Sequence, residues 1–245
     1  MRTGFPNISG SSECAQKLRK TFSIDAELKR LNVDIAALQE TRIEDEGSIR
    51  EANYTFYWKG KSSSEKREHG VGFAVRNHLI NAIEPPIGIS ERMILRLNTK
   101  SGYVTFISAY APTLNATSET KDQFYNQLEE TVRNVRLSDR LHILGDFNAR
   151  VGQNSPNWPD CLGAHGIGKL NNNGQLLLEF CSRNRLGVTN TFFKGKLMRK
   201  VSWMHPRSKH WHQLDLVLTK KRDLRETLHT RTFHSADCDS DHSCY

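Results

Sequence analysis

The stretch Leu141-His142-Ile143-Leu144-Gly145-Asp146-Phe147-Asn148-Ala149-Arg150 decides how this sequence folds. Its first four residues form an apolar run of the length of a buried strand, and Gly145 closes the run. Asp146 and Asn148 follow two positions apart, which in extended backbone directs both side chains to one side. A carboxylate and a neutral amide presented together after a buried strand suit a metal ion or a phosphate better than a protein core. We therefore expect a binding edge here.

Four further clusters place polar groups at or near strand-like segments. They are Leu38-Gln39-Glu40-Thr41-Arg42, Ser108-Ala109-Tyr110-Ala111-Pro112, Gln213-Leu214-Asp215-Leu216-Val217-Leu218 and Asp237-Cys238-Asp239-Ser240-Asp241-His242. Taken singly, Glu40 is better explained as a residue of a surface loop, and Tyr110 is better explained by core packing of its ring. Asp215 lies inside an apolar strand, where a lone carboxylate costs several kcal/mol, so it requires a cationic partner. The candidate partner is His242, whose tautomer Asp215 would fix.

Taken together, the five clusters supply the groups that phosphodiester hydrolysis requires. A divalent cation neutralises charge on the phosphoryl group, a base activates water, and hydrogen-bond donors hold the non-bridging oxygens. Carboxylate and carbonyl oxygens favour Mg²⁺ or Mn²⁺ over Zn²⁺. The sequence therefore predicts a metal-dependent phosphoester hydrolase, with Asp241 beside the histidine available to the metal.

The periodicity predicts more strands than helices, in a single domain over residues 1–245. Helices are predicted near 11–31, 118–136 and 173–185, the second capped by Ser118. Strands are predicted over 34–39, 54–59, 70–76, 92–97, 103–110, 141–144, 188–192, 199–204, 213–218 and 227–233. Because many of these strands are sequential neighbours, two packed sheets with helices outside are favoured over a doubly wound parallel sheet.

Composition narrows the classes of partner. The 245 residues carry a formal net charge of +8, which favours polyanions such as nucleic acid. No run approaches the roughly 18 apolar residues of a membrane span, and the first ten residues lack the apolar core of a secretory signal. Five scattered cysteines without a CxxC motif indicate a reducing compartment. We therefore expect an intracellular protein that is neither secreted nor membrane-bound.

The order of the five clusters resembles the endonuclease/exonuclease/phosphatase superfamily, the fold of DNase I and the abasic-site endonucleases. The stretches DIAALQETR, GVGFAVRN, ISAYAPT, LGDFNARVG and SWMHPRSKHWHQLD resemble the endonuclease domains of non-LTR retrotransposons and the cellular craniofacial development protein 2-like group. The resemblance implies a four-layer α/β/β/α sandwich of two packed mixed sheets with outer helices. It also implies a Mg²⁺-dependent (or Mn²⁺-dependent) endonuclease that nicks target DNA. In the retroelements a reverse transcriptase domain, absent from this chain, primes from that nick.

The same resemblance assigns a role to each matching residue. Glu40 would be the principal metal ligand, and Asp146 would align or deprotonate the attacking water. Asn148 would contact the phosphate and the metal, and Tyr110 would donate a hydrogen bond to the phosphate. His242, held by Asp215, would stabilise the transition state, and Asp241 would contact the metal directly or through water.

The chain departs from the family pattern at both ends. It begins Met1-Arg2-Thr3 where the family has a strand with a Trp-Asn-Val-like motif, and it stops at Ser243-Cys244-Tyr245 where the family continues with an apolar strand. We therefore expect a domain that lacks its first and last strands, is less stable by several kcal/mol, and has reduced or no activity.

Two basic stretches are candidate DNA contacts. Lys61 and Arg67 lie in one stretch, and Ser202, Trp203, Arg207 and Lys209 lie in or beside the other; basic and aromatic side chains interleaved in this way suit a nucleic-acid groove. A solvated surface is the other interpretation of both stretches. His205, His210 and His212 have no Cys or carboxylate at zinc-ligand spacing, so a loop is predicted there.

Two other functions remain open on sequence grounds. One is a catalytically dead, domesticated remnant that binds nucleic acid or chromatin. The other keeps the chemistry and acts on RNA 3′ ends or phosphoinositides, although the basic charge argues against phosphoinositides. Nuclear localisation follows only from the expected DNA substrate, and the oligomeric state is not specified.

Overall fold

A computed structural model describes residues 12–62, 70–90 and 92–232, with side chains from residue 21 onward. Its helices are α1 (Ser12–Arg30), α2 (Ser118–Asn134) and α3 (Asn172–Asn184). Its strands are β1 (Ile35–Gln39), β2 (Glu46–Arg50), β3 (Tyr54–Lys59), β4 (Val71–Arg76), β5 (Ile87–Ile89), β6 (Arg92–Thr99), β7 (Gly102–Tyr110), β8 (Arg140–Asp146), β9 (Leu186–Val188), β10 (Trp203–Met204), β11 (Trp211–His212) and β12 (Asp215–Lys220).

The long strands form two sheets. The first sheet has the order β1-β4-β3-β2 and the second the order β5-β6-β7-β8-β12-β9. The second sheet is mixed because β7 and β8 run parallel, whereas all of its other pairings are antiparallel. Within the described strands the first sheet is wholly antiparallel, which corrects the expectation of two mixed sheets. Strands β10 and β11 form a separate two-stranded hairpin.

Three apolar interfaces order these elements into layers. Leu28 of α1 packs on Tyr54, Phe56 and Ala74 on the outer face of the first sheet. A second cluster joins the inner faces of the two sheets and includes Phe73. The largest cluster packs α2 and α3 on the outer face of the second sheet. The order α1, first sheet, second sheet, α2 with α3 confirms the α/β/β/α sandwich.

The capping residue of helix α2 lies one position earlier than the sequence predicts. The cap is Thr117, whose side-chain oxygen accepts a hydrogen bond from the backbone N–H of Thr120, so the prediction of Ser118 as the cap was wrong. Phe124, Leu128 and Val132 are buried along one face of the helix, as a 3.6-residue apolar period predicts.

The shortest and most polar strands differ from the prediction. Strands β2 and β5 were missed because they are sheet-edge strands of mixed polar and apolar residues. The predicted strand 188–192 is instead Leu186–Val188 followed by a 3-10 turn, and 199–204 contributes only Trp203–Met204. Residues 227–232 form no strand; Leu228 is 90% exposed, so no sheet face packs against it.

Candidate active site

Strand register aligns three of the expected site residues across the second sheet. Tyr110 of β7 lies opposite Asp146 of β8 in the parallel pairing. Asp215 of β12 lies opposite Asp146 from the other side, in the antiparallel pairing. The carboxyl ends of β7 and β8 and the start of β12 therefore share one sheet edge, and this edge carries a phenol and two carboxylates on adjacent strands.

The first sheet brings Glu40 to the same edge. The side-chain amide of Gln39 donates to Ser108 Oγ (3.1 Å), and Ser108 Oγ donates to the carbonyl of Leu38 (3.1 Å). These two bonds tie the end of β1 to β7. One residue beyond, the Tyr110 hydroxyl donates to Glu40 Oε1 at 2.6 Å. The two sheets are thus joined by hydrogen bonds at the point where the site residues meet.

The loop that presents Glu40 has an unusual backbone. Glu40 and Arg42 both adopt positive φ, 50° and 51°, a left-handed conformation that disfavours most side chains other than Asn, Asp and Gly. Arg42 also donates to Glu40 Oε2 at 2.9 Å, although both side chains are partly exposed. Residues held in such conformations often belong to functional sites, so the strain is consistent with a role for Glu40.

Asp146 and Asn148 meet through a turn rather than along a strand. Asn148 has a φ of 47°, and its backbone N–H donates to Asp146 Oδ1 at 2.8 Å. The expectation that both lie in extended backbone was therefore wrong, because β8 ends at Asp146. Asn and Asp tolerate this conformation well and form such local side-chain-to-backbone bonds. The turn also buries Phe147 completely.

Sequence reasoning missed Asn173, whose side chain is hydrogen-bonded to the backbone of this turn. Asn173 is 2% exposed, and its side-chain amide donates to the carbonyls of Pro112 (3.0 Å) and Asn148 (3.1 Å). The Asn148 amide in turn donates to the Ala111 carbonyl at 3.0 Å. The run Asn171-Asn172-Asn173-Gly174 indicates only the start of a helix when the sequence is considered alone.

Electrostatics keep the Tyr110 hydroxyl protonated. Burial raises the pKa of Tyr110, and the Glu40 and Asp146 carboxylates raise it further, whereas a hydrogen bond with Asn148 acts in the opposite sense. Tyr110 is 7% exposed and Asp146 is 5% exposed. At neutral pH this phenol is therefore a hydrogen-bond donor placed between acids from two sheets.

Asp215 begins β12 and is half-buried rather than enclosed by the strand. Its backbone N–H donates to Ser202 Oγ at 3.3 Å, and its carbonyl accepts from the Asn190 amide at 3.2 Å. Ser202, predicted to contact a phosphate, is completely buried, so in this conformation it orders the start of β12. His242 and Asp241 lie outside the described residues.

The predicted DNA-contact residues divide between two surfaces. Trp203 lies in the β10–β11 hairpin, where its ring stacks on His212 with centroids 6.0 Å apart. Arg207 and Lys209 are exposed near the tip of that hairpin, where His205 Nδ1 accepts from the backbone N–H groups of Arg207 and Ser208. Lys61 follows β3 and is half-buried. Arg67 lies outside the described residues.

The donors at the sheet edge fit a hard divalent cation. Across residues 12–62, 70–90 and 92–232, no three His, Cys, Asp or Glu side chains form a group that could hold a metal ion. However, Mg²⁺ keeps several waters and binds proteins through as few as one or two carboxylates. Glu40 and Asp146 provide two carboxylates; the Tyr110 hydroxyl donates to Glu40, and Asp146 lies opposite Tyr110 in the strand register. The described residues thus supply an all-oxygen donor set of the kind that Mg²⁺ and Mn²⁺ prefer.

This fold and this edge define a class of protein. The chain belongs to the endonuclease/exonuclease/phosphatase family, whose sequence profile matches residues 9–242. The class is one of phosphoester hydrolases of the nuclease type. No helix in the described part of the chain is long and apolar enough to cross a membrane.

Particular relatives are found by sequence and by structure. The chain is 33% identical to craniofacial development protein 2 of Bos taurus and 32% identical to that of Tragulus javanicus, over 89% of this chain. It spans only 36% and 38% of their lengths. The fold resembles the endonuclease domain of TRAS1, a telomere-specific non-LTR retrotransposon, with a TM-score of 0.62 and 13% identity over 93% of this chain and 91% of that one. It also resembles the 3′ phosphatase NExo from Neisseria bound to product DNA hairpin, with a TM-score of 0.60 and 16% identity over 91% and 93%.

Proposed function

We propose that the protein is a Mg²⁺-dependent endonuclease that hydrolyses phosphodiester bonds in DNA. The observation that carries the proposal is the bond from the Tyr110 hydroxyl to Glu40 Oε1 at 2.6 Å, with Asp146 directly opposite Tyr110 in the strand register. The carboxylates of Glu40 and Asp146 come from separate sheets, and the Tyr110 phenol beside them stays protonated at neutral pH. Asp146 is buried, and burying a carboxylate is costly unless a cation or hydrogen bonds compensate it, so a packed core alone has no need of this arrangement.

Each residue at the edge has a distinct task in such a reaction. Asp146 orients the attacking water and accepts its proton, and its own orientation is fixed by the Asn148 backbone N–H. Tyr110 remains protonated, and its single O–H would turn from Glu40 Oε1 to donate to a non-bridging phosphate oxygen when substrate binds. The Asn148 amide, held by the Ala111 carbonyl, contacts the phosphate beside the water.

Glu40, Asp146 and Asn148 would hold the cation, together with Asp241 as the sequence predicts. When bound, a divalent cation supplies neutralisation of phosphate charge and polarisation of the phosphoryl oxygen. His242, oriented by Asp215, is the further transition-state donor that the family resemblance assigns.

DNA is the proposed substrate because of the charge of the chain and the structures that its fold resembles. The chain carries +8, which favours a polyanion. The structural neighbours include a retrotransposon endonuclease and a phosphatase bound to a DNA hairpin. The exposed Arg207 and Lys209 of the β10–β11 hairpin are the proposed contacts to the DNA backbone, with Trp203 beside them. With chromosomal DNA as its substrate, the protein would act in the nucleus.

Nicking of supercoiled plasmid by the purified chain in Mg²⁺ tests the proposal. Glu40→Gln and Asp146→Asn should each slow nicking by a factor on the order of 10² to 10⁴, the usual contribution of a positioned acid or base. Both substitutions keep the side-chain shape. Glu46→Gln, on an exposed residue of β2, is the matched control and should nick at the wild-type rate.

Two results would contradict the proposal. If both site variants nick as fast as the control, the assigned site is wrong. If wild type and both site variants bind DNA equally and none nicks it, the chain is a binding remnant rather than an enzyme. Cleavage of RNA or a phosphoinositide in preference to DNA would replace the proposed substrate.

A further inference from the structure

A basic groove lies at the opposite end of the second sheet from the candidate active site. Its lining includes Leu141 at the start of β8 and Lys220 at the end of β12. From Leu141 to Asp146 the strand advances roughly 17 Å, at about 3.3 Å per residue. The groove has a volume of about 1020 Å³. It is therefore a separate surface and not an extension of the edge that carries Tyr110 and Asp146.

Positive charge dominates the groove. Seven Arg or Lys side chains line it against two Asp side chains. One of these acids, Asp139, is already paired with Arg96 at 2.6 Å, outside the groove lining. The other, Asp160, pairs with Lys221. Both acids are thus engaged in ion pairs, and the groove keeps an excess of positive charge.

Three of the arginines are exposed and have no ion-pair partner in the described part of the chain. They are Arg136 after α2, Arg185 after α3 and Arg225 in the turn after β12. They come from three separate elements that converge only in the folded chain. Arginine side chains in such a setting repel one another unless an anion lies between them, and guanidinium groups bind phosphate oxygens in bidentate fashion.

The groove is a built surface rather than a chance gathering of mobile side chains. The Arg222 guanidinium donates to the carbonyls of Leu137 (2.6 Å) and Asp139 (2.8 Å), which fastens the turn after β12 to the loop before β8. Lys220 Nζ donates to the Asn184 carbonyl at 3.1 Å, at the end of α3. Burial, reinforced by Arg222, lowers the pKa of Lys220. The walls of the groove are therefore fixed before any ligand arrives.

Arg185 lines the groove from an unusual backbone conformation. It ends α3 with a φ of 53° and a ψ of 48°, a position that glycine or asparagine usually occupies. An arginine in left-handed backbone is strained relative to those residues. The strained position delivers a guanidinium to the groove, which glycine would not do.

We infer that this groove binds the phosphodiester backbone of a nucleic acid, separately from the segment at the candidate active site. The groove is far larger than a single phosphate group, and its cations come from several separate elements, which suits a polymer with repeated negative charges. The inference concerns binding and does not depend on whether the chain cleaves DNA.

Fluorescence anisotropy with a fluorescein-labelled 30-base-pair DNA duplex, in EDTA to prevent hydrolysis, tests the inference. The full chain is compared with R136Q/R225Q and with R185N, which keeps a residue suited to left-handed backbone. The matched control is K29Q/R50Q, which removes two exposed charges on α1 and β2. Each groove variant should bind about fivefold or more weakly than wild type, and the dependence of log Kd on log salt should flatten by about one unit for each phosphate-binding cation removed. The control should stay within twofold of wild type.

The altered residues are exposed, so the thermal unfolding midpoints of R136Q/R225Q and K29Q/R50Q should match wild type. The midpoint of R185N should be equal or higher, because asparagine is less strained there. Weaker binding without a lowered midpoint supports the inference. Groove variants that bind DNA no more weakly than the control would overturn it. So would an unchanged salt slope. Weakened binding to phosphatidylserine vesicles with unaltered DNA binding would also overturn it, since the groove would then serve a membrane surface.

Discussion

The two ends of strand β8 place acidic side chains in different surroundings. At its carboxyl end Asp146 lies opposite Asp215 in the register, and like charges facing each other across a sheet are destabilising. At its amino end Asp139, which precedes the strand, accepts from Arg96 at 2.6 Å and from Thr105 at 2.9 Å. At the carboxyl end, Asp146 and Asp215 lie opposite each other on neighbouring strands. At the amino end, the buried Asp139 is paired with the Arg96 guanidinium.

This difference separates function from stability along one strand. The carboxyl end combines left-handed backbone at Glu40, which disfavours folding, with two carboxylates aligned on neighbouring strands. The amino end holds a satisfied ion pair and the half-buried ring of His142, which stacks on Phe106 with centroids 5.6 Å apart. The unfavourable backbone at the carboxyl end has to be offset by stabilising contacts elsewhere, and the contacts at the amino end are among them.

The largest effect on stability is expected from Asp139→Ala. The substitution removes the buried partner of Arg96, whose side chain is only 12% exposed, and leaves the half-exposed Glu84 as its ion-pair partner. Removing one member of a buried pair typically lowers the free energy of unfolding by about 3 kcal/mol or more. Urea denaturation measures the change. Asp122→Ala, on the exposed face of α2, is the control and should change stability by less than about 0.5 kcal/mol.

The pH dependence of that effect has a definite sign. The Arg96 guanidinium holds the pKa of Asp139 below its usual range. The pair therefore contributes fully above the unfolded-state pKa of about 3.9, and the contribution is lost as the pH falls through the folded-state pKa. The gap between wild type and Asp139→Ala should be constant from pH 5 to 8 and narrow below pH 4. An undiminished gap at pH 2 would show that charge is not the cause.

Two substitutions with smaller effects on stability compare the carboxyl and amino ends of β8 directly. Asn173→Ala removes the donor to the Pro112 and Asn148 carbonyls, and Thr219→Val removes the donor to the Leu141 carbonyl. Each removes a hydrogen-bond donor that is itself buried and should lower the free energy of unfolding by about 1–2 kcal/mol. Only Asn173→Ala displaces Asn148, so it alone should reduce nicking at saturating DNA, by about tenfold or more.

Nicking rates and urea unfolding of the two variants, measured side by side, decide this prediction. An equal reduction of nicking in both variants would mean that Asn173 acts through general stability and not through the position of Asn148. A full rate in Asn173→Ala would remove it from the site altogether.

Much of the site was predictable because each acid follows a segment with a strong local signal. Apolar runs end at Gln39 and at Gly145, so the sequence alone places Glu40 and Asp146 at strand ends. The partnership of Tyr110 with Glu40 could not be predicted, because it spans 70 residues and two sheets. The left-handed turn at Asn148 was also missed, since spacing alone suggests an extended strand.

The supporting groups were harder to predict, for the same physical reason. Asn173 acts only because α3 brings it beneath Asn148, and nothing in its neighbours distinguishes it from a helix-start residue. The basic groove gathers Arg136, Arg185 and Arg225 from three elements, whereas the sequence directs attention to contiguous basic runs. Long-range packing determines both features.

The smallest predicted effect concerns His142, in the amino half of β8. Burial lowers the pKa of His142, and the charge of Arg140 adds to this, while Asp223 and Glu226 act in the opposite sense. The unfolded chain therefore takes up a proton near pH 6.5, before the folded chain does, and stability is lost as the pH falls below that value. His142→Phe keeps an aromatic ring against Phe106 and removes the titration. Between pH 7 and 5, wild type should lose stability relative to this variant, as measured by urea denaturation at each pH. The pH profile of nicking should be the same in both proteins, because His142 lies at the stabilising end of the strand; a shifted profile would show that the two ends are coupled.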